Sequence, residues 1–294
     1  MNDEPELRVL VRHSFFVRAW YDETMKYEMG MIGAGNMAEA IVRGVLRAGI
    51  FAAGQIVVSD VSPQRRGLFE KQLTVRAVED NSAVARESKV VVLSIKPQKM
   101  AEALSGIGQV LRDQSLVISI MAGISTAKIE AQLGAAKSWR IVRCMPNTPM
   151  LVGEGMAVIS AGGNAAAEDL AMARRIFQSS ATVLELPESM LDAVTAISGS
   201  GPAYFFFLVE QMIKGGVEMG FTPEQAHLLA TRTASGAAKM MISSKDSPEE
   251  LRRKVTSPGG TTQAAIETMQ SRYVPDAIVA ALKHAAQRSR ELGQ

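Results

Sequence analysis

Along residues 26–186 the chain alternates between short runs rich in β-branched residues and longer stretches whose apolar positions recur at helical spacing. Predicted strands cover 27–32, 55–59, 90–95, 116–120 and 140–143, followed by 156–160 and 182–186. Most are apolar through nearly all of their length, as expected of strands covered by helices on both faces of a parallel sheet. Ser62 and Pro63 read as N-cap and first residue of a helix over 64–72, and Ser125 as the cap of 126–133. Beyond Pro187 the strand signal stops. Segments 204–219, 223–241 and 262–269 are helical and rich in Ala, Met and Leu. Their apolar residues run around much of each circumference, which predicts either oligomerisation through this region or a tight monomeric helical cap. Two domains are expected, 25–187 and 188–294, the first α/β and the second all-helical.

Residues 1–24 mix acidic and basic residues around a short apolar run and lack a secretory signal's long apolar core and cleavage site. They are expected to lie outside the fold. Met25 stands directly before the first strand and is the expected natural start of translation.

Composition narrows the function classes. With 294 residues, 47% hydrophobic and 21% charged, the chain has material for a real core and no sign of overall disorder. The net charge of +2 leaves no basic excess for wholesale binding of nucleic acid. No apolar run approaches the ~18 residues of a membrane span, so a soluble protein is expected. Cys144 is the single cysteine and can form no intramolecular disulfide, which suits a reducing, cytoplasmic setting. His13, His227 and His284 are too scattered for a metal site.

The first strand runs into GAGNMA, with Gly33, Gly35 and Ala38 in the positions of a dinucleotide fingerprint and a helix over 39–47 behind them. Gly33 permits the tight turn, Gly35 lets a pyrophosphate reach bare backbone, and Ala38 lets the helix lie close to the sheet. A doubly wound, Rossmann-type domain follows from this context, although a purely structural turn would use the same glycines. Asp60 ends the second strand, where an acidic residue accepts hydrogen bonds from the ribose of NAD, or simply caps the following turn. Arg65 and Arg66 stand close behind and suit the additional phosphate of NADP. The residues therefore leave NAD and NADP open.

Six segments in register, MIGAGNM at 31–37, VVLSIKPQ at 91–98, VISIMAGIS at 117–125, RIVRCMPNTPMLVGEGM at 140–156, AISGSGPAYFF at 196–206 and TSPGGTTQAAI at 256–266, resemble pyrroline-5-carboxylate reductases. The resemblance runs from about Met29 to Leu292. It implies a nicotinamide-binding Rossmann domain, a helical dimerisation domain and dimers that gather into larger rings. The implied activity is reduction of a small cyclic imine acid, 1-pyrroline-5-carboxylate, to proline in the last step of proline biosynthesis.

Carried over residue by residue, the resemblance assigns the pyrophosphate turn to Ile32, Gly33, Ala34, Gly35, Asn36 and Met37, and a ribose contact to Asn81. Ser94, Ile95, Lys96 and Pro97 match one loop beside the cofactor, and Met121 and Ala122 match the next. Substrate contacts fall on Gly260, Thr261 and Thr262, with Thr262 as the candidate catalytic residue, donating to or orienting the ring nitrogen. Lys245 stands near a further substrate position that is acidic in some members.

The residues suit that chemistry. A protonated imine is already electrophilic, so hydride transfer needs positioning and charge stabilisation more than a strong acid. Around Gly260 the SPGGTT turn is either a nest of backbone N–H groups for a carboxylate or a plain helix N-cap. Cys144 reads as a small buried hydrophobe. Rival readings are a 3-hydroxyacid-dehydrogenase-like enzyme, for which Lys214 is a poor catalytic lysine, and a nicotinamide-sensing module without turnover. Mass spectrometry of the protein from its natural source should find no peptide before Met25; any such peptide would contradict that start.

Overall fold

The computed structural model describes residues 25–134 and 137–294, so the leader, residues 1–24, lies outside the described residues. The chain divides into two compact units, one ending at Ser189 and one spanning Met190–Leu292.

The first unit is built on an eight-stranded sheet: β1 (Tyr27–Ile32), β2 (Ile56–Ser59), β3 (Arg76–Val78), β4 (Ser88–Leu93), β5 (Leu116–Ser119), β6 (Arg140–Met145), β7 (Gly155–Ala161) and β8 (Ala181–Glu185). Their order across the sheet is β3-β2-β1-β4-β5-β6-β7-β8. The doubly wound, mostly parallel sheet expected from the sequence is therefore present, and β6–β7 is its antiparallel pair. A short 3-10 turn (Thr148–Val152) makes that reversal, and Asn147 holds it by accepting from the Met156 N–H at 2.8 Å.

Helices α1 (Asn36–Arg47), α2 (Pro63–Leu73), α3 (Asn81–Glu87), α4 (Met100–Ala103), α5 (Ile107–Val110), α6 (Thr126–Leu133) and α7 (Ala167–Phe177) flank the strands. Ser62 caps α2 and Ser125 caps α6, each accepting from the backbone N–H three residues on. Two apolar layers form, one on each side of the sheet. Met29, Met31, Val90, Val92 and Ile118 face one of them together with Ile41 and Val45 of α1. Ile32, Val91, Leu93 and Val117 face the other, with Leu104 and Ile129. Each such side chain, fully buried, contributes roughly 1.5–3 kcal/mol of transfer free energy.

Two strand assignments need correction. β3 was not predicted, because its three residues RAV are too short to show an alternation and sit at the sheet edge. β4 begins at Ser88, ahead of the predicted Val90, because Ser88 is fully buried beside Gly30, where a Cβ would stand 2.3 Å from its Oγ.

Two arginines, one half-buried and one buried, tie down the late part of the unit. Arg140 of β6 pairs with the fully buried Asp169 of α7. Arg143, also buried, donates to Glu188 at 3.2 Å. Glu188 accepts in addition from the N–H and hydroxyl of Thr126 at 2.7 and 2.8 Å, so one carboxylate joins β6, the start of α6 and the end of the unit.

The second unit holds α8 (Leu191–Val194), α9 (Gly201–Glu218), α10 (Pro223–Ser243), α11 (Pro248–Lys254), α12 (Thr261–Ser271) and α13 (Val274–Leu292), with a π-helical turn at Thr195–Gly199 leading towards α9. Ser289 of α13 donates to Asp192 of α8 at 2.6 Å. Much apolar surface stays uncovered: Phe205, Phe206 and Phe207 of α9 are 61%, 68% and 64% exposed. Among the described residues no helix is long and apolar enough to cross a membrane.

Glu188→Ala should cost about 2–3 kcal/mol of stability in denaturant unfolding, somewhat below the loss for a fully buried pair because Glu188 is partly exposed. A loss under about 0.5 kcal/mol, the level of an ordinary surface change, would contradict its anchoring role.

Candidate active site

The strand order reverses between β1 and β4, and in open α/β sheets ligands bind beyond the carboxyl ends of strands at such a switch point. Both strands here end in predicted site segments. Gly33 follows β1 with φ +95, a conformation that disfavours side chains, and a Cβ on it would stand 2.3 Å from the carbonyl oxygen of Ser94. Its N–H donates to Ser59 O at 2.8 Å, while Ser94 N–H donates to Ile32 O at 2.8 Å. The turn holding Ile32, Gly33, Ala34, Gly35, Asn36 and Met37 is thereby pressed against the loop of Ser94, Ile95, Lys96 and Pro97.

Gly35 is different. Its φ of −70 suits any residue, and a Cβ there would meet nothing within 4 Å. It is the N-cap of α1 and supplies no side-chain cap to the helix. Gly35 and Asn36 are exposed, Met37 is half-buried, and Ile32 and Ala34 are buried. An uncapped helix start with open space at its glycine fits a diphosphate: the first-turn N–H groups point outwards and the helix dipole favours negative charge.

The other predicted cofactor residues occupy varied settings. Lys96 is exposed and opens a 3-10 turn (Pro97–Lys99). Met121 is 2% exposed and packs into the second apolar layer, and its N–H donates to Ser119 Oγ at 3.3 Å, which leaves its carbonyl for a ligand beside half-buried Ala122. Asn81 begins α3 with its amide engaged on both sides: its oxygen accepts from Ser59 Oγ at 2.7 Å and its nitrogen donates to Ala103 O at 3.2 Å. Asp60 lies against the turn, its Oδ2 accepting from Ala34 N–H at 2.8 Å.

Gly260, Thr261 and Thr262 belong to the second unit. Gly260 is the N-cap of α12, and a Cβ there would stand 2.5 Å from Ser257 Oγ. The glycine N–H groups read as a carboxylate nest are already used: Gly259 donates to the Gln263 side chain at 2.7 Å and Gly260 to Ser257 O at 3.0 Å. Donors for an anion must therefore come from the first turn of α12, where Thr261 and Thr262 stand and the N-cap offers no side chain. Gln263 joins the site residues the sequence did not single out: a Gln three residues after an N-cap commonly reaches back to the backbone, here to Gly259 just before the cap. Lys245 is exposed.

In the SGSGPAY segment the π-helical turn is closed by Ser200 N–H donating to Thr195 O at 2.8 Å and by Tyr204 OH donating to Ala196 O at 3.0 Å. Cys144 is buried, and burial raises its thiol pKa well above the ordinary value of 9.0, which keeps it protonated and unreactive. His227 and His284 are exposed, and no group of metal-ligating side chains occurs among the described residues.

Residues 188–292 match the family model for pyrroline-5-carboxylate reductase dimerisation, and 28–123 match that for NADP oxidoreductase, coenzyme F420-dependent. A pyrroline-5-carboxylate reductase of Pseudomonas aeruginosa is 41% identical over 267 residues, covering 90% of this chain and 97% of that protein. The chain belongs to the pyrroline-5-carboxylate reductase family. Another reductase of this name, from Methanosarcina acetivorans, is 39% identical over 91% of this chain and 98% of its own length. A solved pyrroline-5-carboxylate reductase from Coxiella burnetii superposes with a TM-score of 0.81 at 34% identity, covering 92% of this chain and 99% of that one. The Plasmodium falciparum pyrroline carboxylate reductase, solved with NADP bound, gives 0.83 at 29% identity over 92% and 100%. The helical region of this reductase-family chain is thus a dimerisation region, which accounts for the uncovered phenylalanines of α9 and favours oligomerisation over a monomeric cap.

Gly35→Val should leave stability within about 0.5 kcal/mol, since its side chain enters open space, yet weaken cofactor binding roughly tenfold or more in calorimetry. Unchanged affinity would contradict the turn as the diphosphate site.

Proposed function

We propose that the chain reduces 1-pyrroline-5-carboxylate to L-proline with NADPH or NADH, the last step of proline biosynthesis. The observation that carries this is the Gly33–Gly35 turn, seated on Ser94 and opening onto the uncapped start of α1. Family membership names the reaction, and the geometry supplies a place for the reductant.

The nicotinamide, when bound, supplies the hydride, which adds to the carbon of the C=N bond while the ring nitrogen keeps its proton. The protein's part is to hold and orient. Backbone N–H groups of Gly35, Asn36 and Met37 hold the diphosphate at the dipole end of α1. Ile32, Gly33 and Ala34 complete that turn, and Asp60 and Asn81 lie on the ribose side. Ser94, Ile95, Lys96 and Pro97, with the backbone of Met121 and Ala122, line the path of the cofactor. Thr261 and Thr262 hold the substrate carboxylate at the first turn of α12, Gly260 lets the carboxylate approach that turn as its N-cap, and the Thr262 hydroxyl acts at the ring nitrogen as the catalytic residue.

In this reading 25–187 is the dinucleotide-binding domain and 188–294 the dimerisation and substrate domain. The dimers assemble into a larger ring in the cytoplasm.

Consumption of reduced cofactor should occur with 1-pyrroline-5-carboxylate, and 3-hydroxy acids should give none with oxidised cofactor; failure with the imine would overturn the assignment. Thr262→Ala should lower kcat by roughly a hundredfold with cofactor affinity unchanged, and an equal loss of both would count against its place.

A further inference from the structure

The sequence leaves the choice between NADH and NADPH open, and the loop after β2 supplies an answer. Asp60 directly follows β2, at the position where Rossmann domains place the acidic partner of the adenosine ribose. Its carboxylate is pinned through both oxygens. Oδ2 accepts from Ala34 N–H at 2.8 Å, between the two turn glycines, and Oδ1 from Ser62 N–H at 2.9 Å. A full negative charge is thus fixed beside the phosphate turn and cannot swing away without breaking two backbone hydrogen bonds.

The nearby cations are committed elsewhere. Arg65 donates through Nε to Ala34 O at 2.6 Å and through Nη2 to Glu39 at 3.0 Å, with its guanidinium 5.9 Å from the centre of the Phe69 ring. Arg66 donates through Nη1 to Asp60 O at 2.7 Å and Val61 O at 3.1 Å, and pairs with Glu79 at 3.2 Å. Both therefore brace the loop on which an added phosphate would have to rest. Val61, next to Asp60, is 80% exposed and has no side-chain donor.

Resting on the cofactor reading above, we propose that Asp60 is a specificity-determining residue that makes this chain favour NADH over NADPH. A carboxylate has about four acceptor sites, so after its two backbone bonds Asp60 still accepts from ribose hydroxyls. The extra phosphate of NADPH brings no donor and about −1.5 to −2 charge, which meets the fixed carboxylate in repulsion. Turning either arginine towards that phosphate would pull against the contacts that already hold it, Ala34 O and Glu39 for Arg65 and Asp60 O, Val61 O and Glu79 for Arg66. Arg66 and Arg65 thus act on the cofactor through the loop they hold.

The test is calorimetric titration of the full chain with NADH and with NADPH at one fixed ionic strength, for the wild type, Asp60→Asn and Arg66→Ala. Asn preserves the shape of the side chain and one acceptor oxygen, so one of the two backbone hydrogen bonds remains while the charge is removed, and a thermal melt beside the titration checks that the fold is kept. NADH is expected to bind the wild type about tenfold or more tightly than NADPH, and Asp60→Asn to narrow that ratio about tenfold. Arg66→Ala is expected to leave the ratio within about threefold, because the arginine is not held free for a phosphate. Wild-type binding of NADPH as tight as NADH, an unchanged ratio in Asp60→Asn, or a selective loss of NADPH in Arg66→Ala would each overturn the proposal and leave the cofactor site standing. Binding of neither nucleotide would overturn the cofactor reading itself, and this proposal with it.

Discussion

At the centre of the first unit a strand end and a loop meet with no side chain between them. Gly33 takes a left-handed conformation, and its missing Cβ leaves room for the carbonyl oxygen of Ser94. β1 and β4 are parallel neighbours, yet their connections leave to opposite sides, so their exits would diverge without such a contact. The backbone hydrogen bonds from Gly33 to Ser59 and from Ser94 to Ile32 lock the three strand ends together. α1 must then start at Gly35, with its N-terminus aimed beyond the carboxyl edge of the sheet. The chemistry assigned to the chain depends on that orientation, because a helix start shifted by one turn would present different donors.

The interior strands were legible because each holds an unbroken run without charge, Met29 to Ile32, Val90 to Leu93 and Leu116 to Ile118, as burial on both faces requires. The edge was not. β3 spans three residues, one of them exposed Arg76, and its pairing with β2 owes more to the neighbouring backbone than to its own side chains. Helix ends were read well where chemistry marks them, as at Ser62 and Ser125, and poorly where it does not. The π-helical turn at Thr195–Gly199 has no local signal beyond small residues, since one extra residue per turn is decided by packing.

The candidate site divides in the same way. The glycine turn announces itself because its residue types answer to backbone geometry. Hydrogen-bond partners stayed hidden: nothing in the sequence says that Asp60 accepts from Ala34 or that Asn81 bridges Ser59 and Ala103, and only the spacing from the N-cap hints that Gln263 takes the Gly259 N–H. Those links join residues across loops, and they decide which donors remain for a ligand. At α12 they redirect the anion site from the glycines to the first helical turn. In the second unit, the apolar excess seen in the sequence reappears as uncovered aromatic surface on α9, in a region that matches a dimerisation domain.

The claim that organises the account is that α1 holds a diphosphate at its uncapped start. A crystal structure of the full chain with reduced nicotinamide cofactor bound measures this directly. The account predicts diphosphate oxygens within hydrogen-bond distance of the backbone nitrogens of Gly35, Asn36 or Met37. A cofactor bound with its diphosphate away from that turn would contradict it.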